Sequence, residues 1–95
     1  MYRGKKRKRS NEMEVEVKLN VPSRRGRTVT LVVLPNELIE DVKAKLHWQW
    51  HIPFDEKGDM WLLGPDDDMV NLADGKLLRE YPVVHGSALV YENSD

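Results

Sequence analysis

Residues whose types and spacing could do chemistry fall in four places. His47 and His51 stand four apart in the string HWQWH. On a helix that spacing puts two imidazoles on one face, where they can share a metal ion. Trp48 replaces the Glu of the corresponding metalloprotease motif, and no third ligand is evident. These residues read as packing at the end of a helix, with Trp48 and Trp50 as core and rim and His complementing the dipole. Asp66, Asp67 and Asp68 form a second cluster. A calcium loop of the EF-hand type needs alternating acidic ligands, a Gly at its sixth position and a Glu at its twelfth. Those are absent, so the cluster reads as a solvated acidic loop. The serines, Ser10, Ser23, Ser87 and Ser94, lie in tails or turns without a His and an acid arranged around them. With no Cys, thiolate chemistry, disulfides and zinc-thiolate sites are excluded. There is no Gly-rich phosphate loop. The chain reads as a non-enzyme that needs no cofactor and holds no metal.

The fourth place is a basic run: Lys5, Lys6, Arg7, Lys8 and Arg9. Extended Lys and Arg side chains suit the acidic pockets of an import receptor, so the run matches a nuclear localisation signal. It would equally hold nucleic-acid phosphates without sequence preference. The formal net charge of −1 hides this segregation. Six positive charges sit in the first ten residues, and the remaining 85 carry nine basic and sixteen acidic side chains. A basic arm precedes an acidic body. The expected location is the nucleus, with the cytoplasm second. No apolar run is long enough for a membrane span, and no apolar stretch follows the basic residues as a secretory signal requires.

The elements that must position these groups follow from periodicity. Residues 1–12 are too polar to bury surface and are expected to be a disordered arm. The domain is expected over 13–92, with 93–95 as a frayed end. Met13, Val15, Val17 and Leu19 alternate with Glu14, Glu16 and Lys18, the period of a half-buried strand. A Pro- and Gly-containing loop leads to a β-branched run at 28–34, a second strand. Asn36 is placed to cap a helix, with Glu37, Glu40 and Asp41 at its positive end. Ile39, Val42, Leu46 and Trp50 form one helical stripe, and Pro53 bounds it. Short strands are expected at 59–63, 69–72 and 87–92, with an irregular or 3₁₀ piece over 77–84. The fold class is α+β: a mixed sheet of four to five strands with one main helix across one face.

Two strings make this chain similar to ubiquitin. PNELIEDVKAKL (35–46), followed by Ile52-Pro53, resembles its strand end and central helix. LADGKLLREYPVVHGSALV (72–90) keeps its spacing without a gap. The resemblance covers about residues 13–92 and implies the ubiquitin-like β-grasp fold. It implies that Lys43 and Asp74 pair as a structural feature, and that Tyr81 packs its ring and bonds nearby backbone. The inward set would be Met13, Val15, Val17, Val29, Leu31, Val33, Leu89 and Tyr91, facing Ile39, Val42 and Leu46.

Departures from that family bear on function. The sequence ends in VYENSD without Gly-Gly, so the chain is expected not to be conjugated. A modifier cut from a longer precursor is one alternative. The aliphatic patch through which ubiquitin is read is altered and its histidine is missing. Here the outer face would carry Trp61, or Leu62 if the register is shifted by one, with Leu63, Ala88 and Val90. Arg24 and Arg25 would lie at its rim. The expectation is a monomeric protein-interaction module that docks a protein partner on that face. A second alternative is an RNA- or DNA-associated domain using the arm with Arg24, Arg25 and Arg27. The acidic cluster together with Lys18 also resembles the two charged ends of PB1 domains, a minor alternative.

Overall fold

A computed structural model describes residues 12–22, 25–52 and 58–93. The basic run Lys5–Arg9, Arg24 and Pro53 lie outside the described residues, as do Ser94 and Asp95.

The chain builds β1 (Met13–Asn20), β2 (Arg27–Val33), α1 (Ile39–Trp50), β3 (Asp59–Leu63), β4 (Met69–Leu72) and β5 (Ala88–Glu92). A 3₁₀ turn, Leu78–Glu80, precedes β5. The sheet order is β2-β1-β5-β3-β4. Strands β1 and β5 run parallel, and every other pair is antiparallel. This is the ubiquitin-like β-grasp, a five-stranded mixed sheet with one helix packed across it.

The alternation in β1 sends Val15, Val17 and Leu19 fully into the core. Val29, Leu31 and Val33 join them from β2, and Leu89 and Tyr91 from β5. Ile39, Val42 and Leu46 close the other side. Each such side chain contributes about 1.5–3 kcal/mol when fully buried. Met13, Trp50 and Tyr81 are partly buried against this core.

Asn36 does not cap the helix. Leu38 occupies the N-cap in an extended conformation, with no side-chain hydrogen bond. Neighbouring backbone holds the entry instead. Ile39 N–H donates to Lys76 O at 3.0 Å, and Leu78 N–H to Glu37 O at 2.8 Å. Glu37 precedes the helix and turns back, accepting Leu34 N–H at 2.7 Å and Lys45 Nζ at 2.8 Å. Glu40 and Asp41 do occupy the first helical turn, where the dipole favours them.

The far end corrects a second expectation. Trp50 packs on the core, but Trp48 is 74% exposed. Two residues advance a helix by about 200°, so position 48 points away from the stripe that Leu46 and Trp50 define. His51 ends the helix in the left-handed conformation, φ 57°. No helix among the described residues is long and apolar enough to cross a membrane.

Candidate partner-binding face

Pairing register decides which side chains share the face that the helix leaves open. Trp61 lies opposite Val90, and Leu63 opposite Ala88. On the other side, Trp61 faces Asn71 and Leu63 faces Met69. Successive strand residues point to opposite faces. Met60 and Leu62 are buried in the core, so Trp61 and Leu63 belong to the outer face. The choice between Trp61 and Leu62 is thereby settled geometrically: Leu62 faces inward.

Across all five strands, one outer row runs Thr30, Glu16, Ala88, Leu63, Met69. The next runs Thr28, Lys18, Val90, Trp61, Asn71. The face is therefore divided. In these rows the β5-β3-β4 half is apolar except for Asn71, and the β2-β1 half is polar and charged. A groove between them is lined by Leu63, Met69 and Val90 on one side and by Lys18, Asn20 and Arg25 on the other, with Glu92 beside them. Asn20 Nδ2 donates to Glu92 Oε2 at 3.1 Å, which holds that end of the groove.

Trp61 is half-buried, and its Nε1–H is buried without a hydrogen-bond partner among the described residues. Such a donor costs of order 1–3 kcal/mol. The indole is thus held on this face at some expense to the fold.

Trp61, Leu63, Ala88 and Val90 are expected on this face, and the pairing brings them to one surface, while Arg25, also expected, lines the groove beside them. Met69 is not expected there, because its neighbour depends on the length of the β3–β4 turn. Arg24 and the arm residues Lys5, Lys6, Arg7, Lys8 and Arg9 lie outside the described residues.

The remaining singled-out residues serve the scaffold. Lys43 Nζ lies 2.8 Å from Asp74 Oδ1 and donates to Gly58 O at 2.8 Å. The lysine side chain is 16% exposed and the aspartate 57%. Tyr81 OH accepts Ala73 N–H at 3.0 Å. His47 Nδ1 is 2.5 Å from Ile52 O, a contact in which the carbonyl accepts and the ring must donate. That use of Nδ1 removes one nitrogen from any metal role. Among the described residues, no group of three or more His, Asp or Glu is arranged to hold a metal.

Comparisons with known proteins agree on architecture. No family model matches the chain, and no curated protein matches it. Among solved structures, a de novo designed protein based on ubiquitin matches at 25% identity with a TM-score of 0.68, over 87% of this chain and 89% of that one. A ubiquitin-like domain from Arabidopsis thaliana matches at 22% identity with a TM-score of 0.69, over 100% of this chain and 90% of that one. The chain is similar to these in fold.

Proposed function

We propose that this chain is a protein-interaction module that binds its partner non-covalently, through the outer sheet face, in a protein that works in the nucleus. It acts by docking and not by catalysis. The observation that carries the reading is the contiguous set Trp61, Leu63, Met69, Ala88 and Val90 beside Lys18 and Arg25. Aromatic residues and Arg are favoured anchors in interfaces, and a divided face fixes a partner's orientation as well as its affinity. The half-buried Trp61 on the outer face supports the reading further, since an indole there offers a partner a large aromatic anchor.

Affinity capture from nuclear extract tests it. Wild-type chain and the Trp61→Ala/Val90→Ala variant are compared after circular dichroism shows both folded. Loss of specific partners from the variant is expected. Identical capture by both would reject the face. Nuclear entry is tested by replacing Lys5, Lys6, Arg7, Lys8 and Arg9 with Gln in a fluorescent fusion, which should shift it to the cytoplasm.

A second reading rests on the exposed cations Lys18, Arg25 and Arg27 near the β1–β2 hairpin. With the basic arm they would hold RNA or DNA. Binding of that kind falls steeply with salt, whereas docking on the apolar half of the face does not.

A further inference from the structure

The two edges of the sheet are finished differently. On β2, the outward carbonyls of Thr30 and Val32 are occupied. Trp50 Nε1–H donates to Thr30 O at 3.1 Å, and Lys45 Nζ to Val32 O at 2.8 Å. Helix side chains thereby occupy two of the acceptors that an incoming strand would use on that edge.

No such guard covers β4 among the described residues. Gly64 N–H donates to Asp68 O at 2.7 Å in the turn. That bond sets the antiparallel alternation, so Val70 and Leu72 exchange their bonds with β3. The amides and carbonyls of Met69 and Asn71 point away from the sheet. The next outward amide, that of Ala73, is covered by the Tyr81 hydroxyl. Open backbone is therefore confined to Met69 and Asn71. Met69 and Val70 are each 43% exposed. Asp66, Asp67 and Asp68 are exposed immediately before them, and none is in an ion pair among the described residues.

We propose that the β4 edge accepts an extended basic peptide of a partner protein as a sixth strand. Its main chain bonds Met69 and Asn71, and its Lys or Arg side chains meet the carboxylates of Asp66–Asp68. Strand addition takes its affinity from main-chain bonds and its specificity from side chains. Here the acidic turn sets the charge of the occupant. A second copy of this chain fits poorly. Parallel pairing lays each acidic turn against its equal, where like charges repel. Antiparallel pairing offers that turn no cation, because Met69–Leu72 carries none. The site borders the docking face, whose outer rows include the side chains of Met69 and Asn71, but it is bound through the backbone groups of the edge.

The test titrates the full chain with a labelled peptide of alternating Lys and Val, by fluorescence anisotropy, and follows amide exchange by NMR. Saturable binding with slowed exchange at Met69 and Asn71 is expected. Replacing Asp66, Asp67 and Asp68 by Asn should weaken it about tenfold, the sum expected of three exposed ion pairs. Asn71→Pro should abolish it, since that N–H serves no bond within the sheet. On the unaltered chain, a peptide N-methylated at every residue should also fail, because neither of its edges can then donate to β4. Trp61→Ala/Val90→Ala should leave peptide binding intact, which separates this site from the face. Absence of binding overturns the proposal, and so does binding that leaves Met69 and Asn71 exchange unchanged. Protection already present in the free chain, and lost when Lys5, Lys6, Arg7, Lys8 and Arg9 become Gln, would assign the edge to the chain's own arm and overturn a partner peptide.

Discussion

Trp61 and Val90 stand directly opposite each other across β3 and β5, on the face that the helix does not cover. Cross-strand neighbours of this kind approach within about 4.5–5.5 Å at Cβ, so they present one surface. The pair joins the apolar half of the sheet to Lys18, which lies opposite Val90 on β1. Core packing explains Leu62 and Leu89, the neighbours that face inward, but it does not explain an indole on the outside whose N–H has no partner among the described residues.

That unpaired donor makes the first prediction. Trp61→Phe removes it while keeping an aromatic ring on the face. Stability in urea should be unchanged or higher by about 1 kcal/mol, since an unsatisfied buried donor is lost. A decrease of more than about 1 kcal/mol would show that the indole is needed by the fold.

The Lys43–Asp74 pair should respond asymmetrically. Asp74 is more than half exposed, so Asp74→Asn removes a screened charge and should cost under about 1 kcal/mol. Lys43→Met also strips Gly58 O of its donor and should cost about 1–3 kcal/mol. Equal costs by chemical denaturation would contradict this division.

Gly58 is buried beneath Tyr91, and a Cβ there would overlap the Tyr91 hydroxyl. Gly58→Ala should destabilise by about 1–3 kcal/mol, as overpacking does. Adding Tyr91→Phe should restore only part of it, because ring carbons also lie at 2.9–3.0 Å from the position the new methyl would take. Thermal melts of the two single variants and the double variant check this.

Glu37 ties the β2 exit to the helix by accepting from Leu34 N–H and Lys45 Nζ. Glu37→Ala should cost about 1–3 kcal/mol. It should also loosen Lys45 from Val32 O, speeding amide exchange along β2. Unchanged exchange there would show that Lys45 guards the edge without Glu37.

Much of this fold is legible residue by residue. Strict alternation over Met13–Leu19 fixes the buried face of β1, and the Ile39, Val42, Leu46, Trp50 stripe fixes that of the helix. The spacing that defines this stripe also turns Trp48 outward, so its exposure is legible from position alone. The third strand is different. Asp-Met-Trp-Leu-Leu has four apolar residues in a row, so it carries no period. Only pairing with β5 decides that Trp61 faces out. Asn36 has the residue type of a cap and the wrong position for one. The helix entry is held instead by Lys76 O and Leu78 N–H, groups distant in the chain that no local pattern encodes. Met69 belongs to the face for a similar reason, since its partner Leu63 is set by the turn between them.

The docking face can be interrogated directly with a photo-crosslinking amino acid placed at Val90, and in a second protein at Trp48 on the helix side. After irradiation in nuclear extract, a discrete crosslinked partner is expected from position 90 and none of that mass from position 48. Capture of the same partner from position 48, with none from position 90, would contradict docking through the outer sheet face.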